Sequence, residues 1–252
     1  MFRFPIRGWK SCRIFPGHRL VLAAAFCLPL AMRADPALSF NAAEPPPSYA
    51  SATPSVSGRL SSAAKAAAEA GIEALGKNKF GDAETAFLKL LALSPDNPSA
   101  LVNLGLVEFR LGREEESQKY LLRAIRVKPD AALAWMMLGV NYMNEDDNDG
   151  ATAALAQAVY LNPKSPQAHN YYAVTLAKRG WYDAAEDELQ KVIQLAPNFA
   201  EAHFNLALIY FQQNPPAVEL ARRHYQKALD LGAEPDPGFE AKLKAAPEQT
   251  LQ

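Results

Sequence analysis

The sequence predicts an all-α solenoid of about five stacked helix-turn-helix units closed by a short C-terminal helix, and two observations carry this. Prolines stand at 95, 129, 163 and 197, separated by one constant interval, and each follows an apolar residue by two positions: Leu93, Val127, Leu161 and Leu195. Proline lacks the backbone donor and disfavours helical geometry in the residue before it, so each marks a helix stop and a turn. Small residues keep the same register: Gly71, Gly105, Gly139 and Ala173 precede the prolines by one fixed distance, and Ala83, Ser117, Ala151 and Ala185 precede them by half of it. A glycine inside a helix costs about 0.5–1 kcal/mol relative to alanine, so its recurrence points to close helix approach. The small residue of each first helix is expected to face the small residue of the second.

The elements follow in chain order. Residues 1–34 are expected to be a signal peptide or membrane anchor. All six basic residues of this stretch (Arg3, Arg7, Lys10, Arg13, Arg19, Arg33) precede the first acid, Asp35, and the apolar run Leu20–Met32 is interrupted by Pro29. Thirteen helical residues reach about 20 Å, short of the roughly 30 Å hydrocarbon core, so the run reads as an export signal rather than a full span. Ala34 suits a cleavage site and Met32 suits it poorly, which leaves an uncleaved anchor as the competing outcome. A mitochondrial presequence fits less well, because the apolar run is compact rather than amphipathic. Both cysteines, Cys12 and Cys27, lie in this leader; bulky Phe26 before Cys27 argues against a lipoprotein. Export to the periplasm or cell envelope is the expected location.

Residues 35–60, with Glu44-Pro-Pro-Pro-Ser48 and Ala52-Thr-Pro-Ser-Val-Ser57, have no apolar period and are expected to be a disordered spacer. Five units follow over 61–233, at about 64–97, 98–131, 132–165, 166–199 and 200–233. In the fifth, Asn214-Pro215-Pro216 widens the turn and Ala233 stands where the closing proline would fall. Residues 234–252 contain a capping helix, Asp236–Lys244 with Phe239 and Leu243 on one side, and a tail.

These residues resemble the tetratricopeptide repeat, whose pattern runs Trp-x2-Leu-Gly-x2-Tyr, Ala-x3-Phe, Pro and recurs every unit. The third unit supplies Trp135, Leu138, Gly139, Tyr142, Ala151, Leu155, Ala158 and Pro163, and the other units match in part. The resemblance implies a right-handed superhelix that binds a protein or peptide partner through its first helices, at positions 2, 5, 9 and 12 of each unit. Positions 5, 9 and 12 read Val102, Leu106 and Phe109 in the second unit and Met136, Val140 and Met143 in the third. They read Asn170, Val174 and Ala177 in the fourth and Phe204, Leu208 and Phe211 in the fifth. Spacings of four and three put each set on one helical face.

Two accounts of that face stand level. Neighbouring first helices bury it against each other, or it is an apolar groove for an extended or helical peptide, in which methionines adapt and phenylalanines anchor. On the groove account, a charge at Phe109 or Val140 abolishes partner capture and leaves helicity intact. A carboxylate clamp of the kind some family members use is not expected, because positions 5 and 9 are apolar in the second, third and fifth units. Asn103 and Asn205, at position 6, are the polar candidates for bonding a ligand backbone.

Other functions find little support. With the leader's six basic residues set aside, 20 Lys and Arg remain against 27 Asp and Glu, a balance of −7 that argues against nucleic acid. Membrane contact is expected only through an uncleaved N-terminal segment. His169 and His203 share one register position with Trp135 and are expected to stand near one another as packing residues rather than metal ligands. Asn144–Gly150 starts like a calcium loop but has Ala156 where the bidentate Glu belongs, so it reads as a solvated turn. No phosphate loop, catalytic triad or cofactor motif stands out, so no catalytic residue, metal or cofactor is expected. A protein scaffold is the leading reading, an envelope assembly factor of pilus or outer-membrane type the alternative, and an enzyme the least favoured.

Overall fold

The computed structural model describes residues 60–246. The leader, the spacer up to residue 59 and the tail from 247 lie outside the described residues. Those described form α-helices and no strand. Five hairpins follow one another: α1 (Ser62–Gly76) with α2 (Phe80–Leu93), α3 (Pro98–Arg110) with α4 (Glu114–Val127), and α5 (Ala132–Asn144) with α6 (Asn148–Leu161). Then come α7 (Pro166–Lys178) with α8 (Tyr182–Leu195), α9 (Ala200–Gln212) with α10 (Val218–Asp230), and finally α11 (Pro237–Ala245). Each second helix also packs on the first helix of the next pair, which makes the predicted solenoid.

Local chemistry sets the boundaries. Asn97 and Ser165 cap α3 and α7 by accepting from the backbone N–H three positions on, and Pro98 and Pro166 follow at the first helical position, where a missing N–H costs nothing. The turn inside each of the first four pairs needs one left-handed residue, and these recur at the same interval as the prolines: Asn78 (φ 53°), Gly112 (71°), Asp146 (57°) and Gly180 (76°). In the fifth pair the turn is 213–217, with a cis bond at Asn214-Pro215.

Packing inside the pairs corrects one expectation. A Cβ on Gly71, Gly105 or Gly139 would lie 2.6, 2.6 or 2.5 Å from the nearest atom of Phe87, Leu121 or Leu155. The helical glycine therefore admits the large side chain one turn beyond the second helix's small one. The small residue is nevertheless close by, since Ser117 Oγ donates to the Gly105 carbonyl at 2.6 Å. Asn141, fully buried on the next first helix, donates to that same Oγ at 2.7 Å. A three-member polar chain thus ties the second pair to the third inside an apolar core.

The closing prolines also join pairs. Trp135 Nε1 donates to the Pro129 carbonyl at 2.8 Å, and His169 Nε2 lies 3.0 Å from that of Pro163. In the second unit Leu101 has no ring N–H to offer, and Arg123 donates to the Pro95 carbonyl at 2.6 Å instead.

Candidate functional site

The predicted face resolves into two kinds of position. Asn205 Nδ2 donates to Asn170 Oδ1 at 2.9 Å, so the sixth position of one unit meets the fifth position of the unit before it. At the end of the stack Phe239 of α11 meets Phe204 and Phe211, with centroids 6.1 and 5.5 Å away and both contacts edge-on. Position 5 of the fourth and fifth units, and position 12 of the fifth, thus line the seam with the following helix. The corresponding positions are buried in the second and third units at Val102, Met136 and Met143, and at Ala177 in the fourth. Position 9 is buried as well at Leu106, Val140, Val174 and Leu208.

What remains accessible is narrower than the predicted set. Phe109, Phe204 and Phe211 are half-buried, and α11 already covers the last two. Phe109 keeps an open side next to Arg110, whose guanidinium lies over the Phe80 ring at 5.9 Å. Val140 is 3% exposed, so a charge there strikes the fold before it strikes a ligand, and the expectation of intact helicity at that position does not hold. Ile72, the ninth position of the first unit, is 42% exposed. It holds the register of the predicted face, whose named residues begin only at the second unit. Of the two polar candidates, Asn205 is engaged with Asn170 and Asn103 is half-buried.

The histidines take different partners. His169 Nδ1 lies 2.5 Å from Glu188 on α8. That hydrogen bond raises the imidazole pKa, while burial, pushing the Glu188 carboxyl up, is outweighed by the bonds from His169 and Lys191. His203 instead faces His224, Nδ1 to Nδ1 at 3.1 Å, and burial holds both imidazoles below the ordinary value. Next to them the Tyr210 hydroxyl donates to Glu186 at 2.7 Å and is pushed up to about 12, mainly by burial. All three of these histidines are held by packing partners.

The acidic run 144–150 spans the end of α5, the turn 145–147 and the start of α6. Asp146 takes the left-handed position, Asp147 caps α6 by accepting from Gly150 N at 2.9 Å, and Asp146 and Asp149 pair with Lys178 and Arg179 of the next unit. Arg179 also covers the half-exposed Trp181 ring at 4.3 Å. Glu108 was not singled out by the sequence, although it is 3% exposed; burial pushes its carboxyl up, and Arg113 pairs with it at 3.1 Å while also reaching Glu84 of the first unit. The outer sides of the second helices expose Leu88 and Leu122, and at the helix ends Leu93, Val127 and Leu195.

Comparison with known proteins agrees with this architecture. Models of the tetratricopeptide repeat match residues 68–118 and 115–166, and a further repeat model of the same kind matches 175–214. No curated protein sequence matches the chain. Among solved structures, MamA is similar at 24% identity over 68% of this chain and 96% of its own, with a TM-score of 0.56. MamA from residue 41 onward, from Desulfovibrio magneticus RS-1, gives 16% identity over 68% and 96%, with a TM-score of 0.60. PilF of Pseudomonas aeruginosa gives 16% identity over 69% and 78%, with a TM-score of 0.63. At these identities the likeness is one of fold.

Proposed function

Because this chain is a tetratricopeptide repeat protein, we propose that it is a non-enzymatic scaffold of the bacterial cell envelope that holds a partner's peptide or helix along the open side of its first helices. Repeats that contact only their neighbours present long continuous surfaces, which suits them to holding other proteins. The observation that carries the docking face is Phe109: an aromatic ring left half-open among side chains that the stack otherwise buries. The buried residues at positions 5, 9 and 12 form the floor on which it stands. Aromatic anchors of this kind dominate binding energy where they can be fully desolvated by a partner.

The envelope assignment rests on the basic start and the apolar run before the spacer. The spacer's composition gives the repeats reach from whatever the N-terminus contacts. A role as an assembly factor that holds two envelope subunits at once is the second reading, favoured by the exposed leucines of the outer helices.

Crosslinking capture from envelope extracts tests the docking face. Phe109→Asp is expected to lose the captured partner while melting as the unaltered protein does; undiminished capture overturns the proposal. Mass spectrometry of the recovered N-terminus and membrane fractionation test the location.

A further inference from the structure

The C-terminal helix is only Pro237–Ala245, and isolated helices shorter than about 12–15 residues are marginal in water. Its helicity therefore depends on what it docks against. Asp236 caps it by accepting from Gly238 N and Phe239 N at 2.9 and 3.0 Å. Phe239 and Leu243, one turn apart, are its buried side chains, at 3% and 5% exposure.

The aromatic and polar side chains that meet this helix come from the fifth unit. Phe204, Phe211 and Tyr225 surround the Phe239 ring, all edge-on, with centroids 6.1, 5.5 and 5.3 Å away. The Tyr225 hydroxyl accepts from the Asp236 backbone N–H at 2.8 Å, at the start of the helix. Arg222, braced by Glu219, donates to the Leu243 carbonyl at 2.8 Å and to that of Ala246 at 3.2 Å, where the last carbonyls of a helix lack internal partners. The fifth unit thus contacts a helix at three places: its first turn, an aromatic and an aliphatic side chain one turn apart, and its C-terminal carbonyls.

We propose that this surface is a docking site for a short amphipathic partner helix with that pattern, and that α11 fills it in cis until such a helix displaces it. This rests on the scaffold reading above and extends it to a second place on the molecule. Phe204 and Phe211 occupy the same register positions as Val102 and Phe109, so α11 is an example, within the chain itself, of the kind of helix this face accepts. A site whose competent state is only partly populated binds with an affinity reduced by that fraction. Weakening α11 therefore strengthens binding in trans.

The test uses the full chain and a fluorescent synthetic peptide of residues 234–246, read by anisotropy. Phe239→Ala in the protein is expected to tighten binding of the unaltered peptide by about tenfold or more, the factor depending on how far the cis helix is released. A peptide carrying Phe239→Ala, or a protein combining Phe239→Ala with Arg222→Ala, is expected to lose that binding. If Phe239→Ala impairs folding, Leu243→Ser opens the same site by removing the second buried residue. Equal affinity for the unaltered and opened proteins, or no binding to either opened variant, overturns the proposal. Phe109→Asp leaves this peptide's binding unchanged, so failure of the docking face at Phe109 and failure of the α11 site are read separately.

Discussion

His203 on α9 and His224 on α10 meet nitrogen to nitrogen, with Nδ1 atoms 3.1 Å apart, ring centroids 5.3 Å apart and planes inclined by 28°. At that distance one nitrogen donates and the other accepts, so the contact holds a single shared proton. A second proton on each ring would set two N–H groups against each other.

Opposite pH responses in the fourth and fifth units follow. Burial lowers the pKa of His203 and His224 below 6.5; Lys227 adds to this for His203, His203 adds to it for His224, and Glu186 opposes it at His224. A lowered imidazole pKa means the fold favours the neutral ring, so the pair's stabilisation is complete above 6.5 and fades as pH falls through the folded values. His169, raised first of all by the Glu188 hydrogen bond, stabilises fully below 6.5 and loses its contribution as pH rises through its folded value. NMR titration is expected to place His169 above 6.5 and the other two below it. Protection factors in α9 and α10, corrected for the slower intrinsic exchange of amides in acid, should fall from roughly pH 7 to pH 5, within the range where imidazoles titrate, while those of α7 and α8 do not follow. A His224 midpoint above 6.5 contradicts the arrangement.

Gly139→Ala is expected to destabilise by about 1–3 kcal/mol, because the added Cβ would sit 2.5 Å from Leu155 Cγ in a close-packed core. Gly81→Ala is the control: it lies in α2 with nothing within 4 Å of the new Cβ, and should gain up to about 1 kcal/mol. Thermal or urea unfolding of the two variants checks the contrast.

The left-handed turn residues make a second pair of opposed outcomes. Asn78→Gly relieves the cost of φ 53° and should raise the melting temperature slightly. Asn78→Val forces a β-branched residue into that geometry and should lower stability by about 1–2 kcal/mol. Equal melting of the two variants would show that the turn relaxes to another conformation.

Trp135→Phe keeps the ring's packing and removes the N–H that reaches the Pro129 carbonyl. The loss expected is about 0.5–1.5 kcal/mol, the net worth of one hydrogen bond. Denaturant unfolding with an unchanged slope checks that the change is in stability and not in the extent of folding.

The units, their turns and the capping helix were legible because each depends on one residue with a narrow conformational requirement. A proline that cannot continue a helix and a glycine that must meet Leu121 or Leu155 repeat at fixed distances in the chain. Asn78 and Asp146 share the register of Gly112 and Gly180, and were readable once Asn and Asp are counted among residues that tolerate a positive φ. Which face of the first helices stays open was not legible. The burial of Met136 or Val174 depends on how closely the first helices of successive units stack, which no spacing within one helix encodes. The His203–His224 contact escaped for a related reason: the insertion around Pro215-Pro216 shifts α10 out of the register that the earlier units share.

The bonds to the closing prolines bear on how such a chain changes length. The carbonyls of Pro95, Pro129 and Pro163 each take a donor from the unit that follows, from Arg123, Trp135 and His169. A duplicated middle unit would therefore arrive with its own donor for the junction before it and its own acceptor for the junction after it. Lengthening or shortening by whole units leaves every joint chemically matched, and only the ends, where α11 stands in for a missing neighbour, must be built anew.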